Sequence, residues 1–182
     1  MYKTLCAAFC ISASVASADA INIQVSGEAN GIISIDLLED VAPQHVERIK
    51  ALAESGSYDG VVFHRVIDGF MAQTGDVQYG KIGGDMRLAG RGGSDQPDLP
   101  AEFSDVPFDR GVVGMARAQD PNSANSQFFI MFEEGYFLNG QYTVIGRVTE
   151  GLDILDAIKR GQGQNGAVVG QPDVMEKVTV VN

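Results

Sequence analysis

At 182 residues, with 45% hydrophobic and 20% charged side chains, the chain is sized for one domain with a full core and has little room for a second. Acidic residues outnumber basic ones by 24 to 13, for a net charge of -11. Such a surface repels phosphate backbones and excludes nucleic acid as the expected partner.

The first 20 residues stand apart. One cation, Lys3, precedes a weakly apolar run from Leu5 to about Val15, and Ala16-Ser17-Ala18 follows, with Ala18-Asp19-Ala20 as an overlapping alternative. That layout predicts a secretory signal cleaved near Ala18 or Ala20, leaving residues 21–182 as one domain. The apolar part is too short and too rich in Ser and Ala to hold in a bilayer, so no membrane association is expected after its removal. Cys6 and Cys10 are the only cysteines, and both lie in this segment. The remaining domain has neither thiol nor disulfide, which suits an oxidising compartment.

From Ile21 the chain alternates apolar and polar residues over 21–25 and again over 31–37, which predicts a hairpin. Pro43 is well placed to start a helix, because its missing N–H would be unpaired there anyway. Val46, Ile49, Leu52 and Ala53 give that helix one apolar face, and Gly56 is placed to end it. An apolar run around Phe63 leads to the turn Asp68-Gly69. Between 75 and 111 the periodicity fails, and Gly, Pro and acidic residues dominate. A loop this long in a compact domain is functional or packed on the surface. Its Gly80-Lys81-Ile82-Gly83-Gly84-Asp85 run invites a phosphate-cradle reading. It lacks both a Ser or Thr after the Lys and an obvious following helix, so turns crossing the outside of a barrel are the better account. Strands are then expected over 111–117, 127–132, 143–148 and 174–181, with a second helix over 151–159 ended by Gly161. About eight strands and two helices with hairpin spacing and no internal repeat predict a mainly β fold: a closed eight-stranded antiparallel barrel capped by two helices.

Two stretches do not read as plain core strands. Phe63-His64-Arg65-Val66-Ile67 sets one cation in an apolar run, and Gly69-Phe70-Met71-Ala72-Gln73 returns after the turn. Later, Ser126-Gln127-Phe128-Phe129-Ile130 offers a second polar and aromatic set. Alone, Arg65 reads as a surface residue on an edge strand and each Phe as core. His64 sits next to Arg65, so alternation turns it to the opposite face. Two histidines, no cysteine in the domain and no clustered acidic ligands leave a transition metal without its usual donors.

Together, Phe-His-Arg-Val-Ile, Gly-Phe-Met-Ala-Gln and Ser-Gln-Phe-Phe-Ile at this spacing resemble the signature segments of the cyclophilin family of peptidyl-prolyl cis/trans isomerases. The resemblance runs from about Ile21 to the C-terminus and is densest over 63–76, 114–130 and 137–146. It implies an eight-stranded barrel with two capping helices, no cofactor, a monomer, and proline-containing polypeptides as substrates. It also implies Arg65 as the catalytic residue, with Phe70, Met71, Phe129 and Leu138 gripping the proline ring. Gln73 would orient Arg65, Gln127 would hold a substrate backbone group, and the backbone of Ala116, Arg117 and Ala118 would receive the residue before proline.

The chemistry fits these residue types. Amide resonance raises a barrier of about 18–20 kcal/mol to rotation, and no bond to substrate need be made or broken. A fixed, permanently charged donor near the prolyl nitrogen favours the twisted amide, whose lone pair is restored, over the planar one. There are departures from the family pattern. Asp68 stands where proline is frequent, Thr74 where glycine is, and Arg117 where Asn is, while Gln119-Asp120 lengthens a turn by one residue. Phe137 and Tyr142, which the resemblance also implies as substrate-binding residues, stand where many eukaryotic members have Trp and His. These two changes resemble the bacterial branch, which binds cyclosporin-like inhibitors more weakly. With the signal, that look predicts a periplasmic isomerase of exported proteins. The alternative is a prolyl-peptide binding holdase with little catalysis, and a weaker one is a scaffold that binds a partner through its Gly-rich loop.

Overall fold

The first alternating stretches pair as a hairpin. β1 (Ala20–Ser26) lies antiparallel to β2 (Gly31–Leu37), with Ile21, Ile23 and Val25 buried alongside Ile33 and Ile35. The structure, a computed structural model, describes residues 19–181. The signal segment expected over residues 1–20 therefore lies outside the described residues, apart from Asp19 and Ala20.

Helix α1 (Pro43–Glu54) begins at its proline and buries Val46, Ile49, Leu52 and Ala53. Ala42, at its N-cap, offers no side-chain acceptor. The carboxylate of Glu102 does so from 57 residues away, accepting from the backbone N–H of Gln44 at 3.3 Å and of His45 at 3.2 Å. Two donors that the helix geometry leaves open are thereby satisfied. Gly56, at φ +69°, follows the C-terminal turn and donates to Ala53 O.

The remaining strands are β3 (Val61–Val62), β4 (Arg65–Ile67), β5 (Met71–Thr74), β6 (Val112–Met115), β7 (Phe128–Met131), β8 (Val144–Glu150) and β9 (Val174–Val181). Helix α2 (Leu152–Ala157) is shorter than the 151–159 expected. The buried Asp173 is the reason: it accepts from Lys159 N at 2.6 Å and Ala29 N at 2.9 Å, drawing the chain out of helical geometry after Ala157.

The expected closed eight-stranded barrel needs correction. The strands form one nine-stranded antiparallel sheet, in the order β3-β9-β1-β2-β8-β6-β7-β5-β4, that curls without closing its ladder. Its edge strands, β3 and β4, are neighbours in sequence, separated only by Phe63 and His64. The apolar run that reads as one strand is thus two, facing different partners: β3 pairs with β9 and β4 with β5. Irregular chain covers both edges. Val62 N donates to Gly80 O on one side, and Val66 N to Gly166 O on the other. Covered edges have no free donors to recruit another strand. Thr74, where the family commonly has glycine, donates its hydroxyl to Val62 O at 2.9 Å and so ties β5 back to β3.

Both faces of the sheet are buried where the site lies. Ala72, Val113, Phe128 and Ile130 belong to the principal core inside the curl. Their neighbours Met71, Val112, Phe129 and Met131 form a second cluster on the outer face with Phe108, Leu138 and Val144. Burial on both sides explains why β6 and β7 read as unbroken apolar runs.

Candidate active site

One rung across four strands builds the site. Arg65 on β4 lies directly opposite Gln73 on β5, Gln73 opposite Phe129 on β7, and Phe129 opposite Gly114 on β6. Register therefore brings together residues as far apart in sequence as Arg65 and Phe129, all facing outward. Gly114 must lack a side chain: a Cβ there would come within 2.6 Å of both Phe108 and Phe129. Those two rings stack at 5.8 Å beneath the site.

The rung opens onto a cavity of about 280 Å³ lined by Arg65, Phe70, Met71, Gln73, Ala116, Arg117, Phe129, Phe137, Leu138 and Tyr142. Met71, Phe129 and Leu138 are buried and form its apolar floor. Phe70 and Phe137 meet at 5.5 Å on one rim, where Phe137 remains 66% exposed and free to touch a ligand. On the opposite rim Tyr142 meets Phe129 edge-on, and the Arg117 guanidinium lies 4.5 Å from the Tyr142 ring centroid. The Arg117 N–H groups donate to the carbonyls of Gln141, Ala118 and Gln119, so this cation braces the rim.

Arg65 is half-buried and held on two sides. Nε donates to Asn165 O at 3.0 Å and Nη1 to Gln73 Oε1 at 2.9 Å, with Met71 Sδ at 3.8 Å. Among the described residues, Nη2 makes no hydrogen bond, which leaves donors for a ligand in the cavity. Burial lowers the guanidinium's affinity for its proton, with Tyr142 opposing the shift, yet an arginine remains cationic at any physiological pH. A permanent charge, partly desolvated and pinned beside an apolar notch, can hydrogen-bond to a ligand without first reorganising.

The structure brings ten of the twelve expected site residues to this one cavity. Ala118 and Gln127 instead line an adjoining hollow of about 430 Å³, which shares Gln73, Ala116 and Arg117 with the first. The amide of Gln127, expected to hold a substrate group, is engaged at both ends. Its Oε1 accepts from Gln73 Nε2 at 2.9 Å and its Nε2 donates to Gly92 O at 2.8 Å. His64 turns away from Arg65 and packs under the loop, where a Cβ on Gly90 would lie 3.0 Å from its ring. Asp68, in place of the family's proline, pairs with Arg160 at 2.9 Å. Sequence reading missed Asn165, which holds Arg65 through its backbone carbonyl 100 residues away; no side-chain signal could have found it.

Comparison with known proteins places this geometry among relatives. The family described as "Cyclophilin type peptidyl-prolyl cis-trans isomerase/CLD" matches residues 20–180. A probable peptidyl-prolyl cis-trans isomerase of Brucella suis is 54% identical over 166 residues, covering 90% of this chain and 85% of the relative. The peptidyl-prolyl cis-trans isomerase cyp18 of Streptomyces antibioticus is 36% identical over 83% of this chain and 90% of its own. The crystal structure of cyclophilin AquaCyp293 from Hirschia baltica superposes with a TM-score of 0.69 at 26% identity, over 88% of this chain and 73% of that one.

Proposed function

Because this chain belongs to the cyclophilin-type peptidyl-prolyl cis-trans isomerases, we propose that it speeds rotation about X-Pro bonds by donating hydrogen bonds from Arg65 to the twisted amide. The observation that carries this reading is the single rung that seats the Arg65 guanidinium against Gln73 at 2.9 Å on the wall of an apolar cavity. In the planar imide the nitrogen lone pair is delocalised into the carbonyl. At the twisted state it returns to a pyramidal nitrogen, which then accepts a hydrogen bond it could not accept before. A fixed donor stabilises that state more than the ground state and so lowers the barrier. Met71, Phe129 and Leu138 take the proline ring, and the backbone of Ala116 and Arg117 takes the residue before it.

Isomerisation of a proline-containing peptide, compared between wild type and Arg65→Ala, tests this role. The variant should lose about 10²–10³ in kcat/KM while keeping most of its peptide affinity, since the notch is intact. An unchanged rate in the variant removes the cation from the mechanism. Peptide binding without catalysis in the wild type would instead make the chain a holdase.

The reading extends to export. The small-residue run ending at Ala18 is followed at once by ordered contacts. Asp19 O accepts from Leu37 N at 2.8 Å, the Asp19 carboxylate pairs with Lys50, and Ala20 lies between Asp36 and Val181. Cleavage after Ala18 keeps all of them and cleavage after Ala20 removes them, so processing after Ala18 is the expected event. An intact mass of the protein from a periplasmic extract checks this. A mass that still includes residues 1–18, or lacks 19 and 20 as well, contradicts it.

A further inference from the structure

The residues on either side of the Gly80–Asp85 run turn their N–H groups on the chain's own carboxylate. Asp76 is fully buried and accepts four backbone hydrogen bonds: Gln78 N at 3.1 Å and Tyr79 N at 2.8 Å to Oδ1, Gly90 N at 2.7 Å and Gly92 N at 3.0 Å to Oδ2. One carboxylate thereby closes the first part of the loop, tying residues 78–79 to 90–92. Gly92 is the junction, because its N–H faces Asp76 while its carbonyl accepts from Gln127 Nε2. Any side chain would break the junction, since a Cβ there would come within 2.5 Å of Asp76 Oδ1 and 2.7 Å of Gln78 Cβ.

From Gly92 the hydrogen bonds run in one direction. A carbonyl can only accept, so Gln127 must present its Nε2 to Gly92 and its Oε1 to Gln73. Gln73 must then donate with Nε2, which leaves its Oε1 for Arg65. A guanidinium can only donate, so the far end demands the same polarity as the near end. Neither amide can flip without setting two acceptors, or two donors, against each other. We propose that Asp76 is a positioning residue for isomerisation: by fixing the Gly92 carbonyl, it fixes the orientation of the Gln127–Gln73 relay and through it the aim of Arg65. The proposal rests on the reading of Arg65 as the catalytic cation. It adds that the cation's aim is set from the 76–92 loop as well as from its own strand.

Asp76→Asn keeps the size of the side chain but replaces an acceptor with a donor, which must face at least one of the four N–H groups. In the full chain it should lower kcat about 10-fold to 100-fold, the scale of a small misplacement of a catalytic group, with KM little changed. The Arg65 Nε–H signal in ¹⁵N-labelled protein, assigned by its loss in Arg65→Ala, should shift. In an Arg65→Ala background Asp76→Asn should cost no further activity, because it acts through Arg65. A lower melting temperature with wild-type kcat and an unmoved Arg65 signal is the result of a merely structural role and overturns the proposal. An equal loss in both backgrounds overturns it too. If Asp76→Asn does not fold, Gln127→Glu reads the same relay, since its carboxylate still accepts from Gln73 but repels the Gly92 carbonyl. The Arg65 signal should again shift, and an unmoved one counts against the relay. Should Arg65→Ala retain full activity, the catalytic reading fails, yet the Arg65 signal in Asp76→Asn still decides the positioning claim.

Discussion

The two faces of β7 differ more than the sequence of that strand would indicate. Phe128 and Ile130 point into the principal core, whereas Phe129 and Met131 belong to the outer cluster beneath the cavity. β5 divides in the same way, with Ala72 inside and Met71 and Gln73 outside. Successive residues on a strand point to opposite faces, so a step of one residue separates what fills the principal core from what lines the cavity. A register slip of one would exchange the two sets. Here Gln127 and the Gly114 contact with Phe129 bracket the register from either side of the rung.

That division can be attacked from the inside first. Ile130→Ala removes a fully buried side chain from the principal core and should cost about 2–5 kcal/mol of stability, read from the denaturant midpoint. Isomerase activity per folded molecule should hold. A large fall in that specific activity would show that the inner face shapes the cavity as well. Arg65→Ala is its mirror image, with a large effect on rate and a small one on the midpoint. Gly114→Ala lies between the two, because its new methyl would press on both Phe108 and Phe129. Overpacking of this sort costs about 1–3 kcal/mol, and displacement of the Phe129 ring should lower kcat/KM together with the melting temperature. If the rate stayed at its wild-type value while stability fell, the floor of the cavity would be set elsewhere.

The smallest effect concerns His64, at the break between β3 and β4. Both ring nitrogens are closed off from solvent, and burial pulls its pKa below the ordinary 6.5, with Asp76 pulling the other way. As pH falls below 6.5 the unfolded chain takes up a proton at this residue before the folded one does, so stability is lost on acidification. His64→Gln should flatten the pH dependence of the unfolding free energy below 6.5 by at most one proton. Identical slopes in the two proteins would mean that the ring is reached by solvent.

The helices, the hairpin and most strands were legible because each depends on local periodicity or on a local signal such as Pro43. Closure was not. Whether the run 61–67 is one strand or two depends on which partners arrive at each end, β9 from as far as 114 residues away and β5 from no more than 8. The site was legible as far as side chains carry it, since Arg65 and Gln73 are uncommon choices for an apolar sheet, and Phe129 was marked by the motif it shares with Gln127. Asn165 and Gly92 act through backbone carbonyls, which every residue has, so no pattern marks them. Asp76 lay in the signature stretch, but its partners are backbone N–H groups as far as 16 residues ahead, and nothing local sets it apart from a solvated aspartate.

The place of β9 has a consequence for how the molecule is made. Among the described strands it is the last to leave the ribosome, yet it sits between β3 and β1 and pairs with both. Until it emerges, β1 lacks a neighbour on one side and β3 has no ladder at all, so the nascent chain has no complete sheet to settle into. A late keystone of this kind delays folding until the whole sheet has been synthesised. Through that interval the hairpin of β1 and β2 has to wait, half paired, for the strand that completes it.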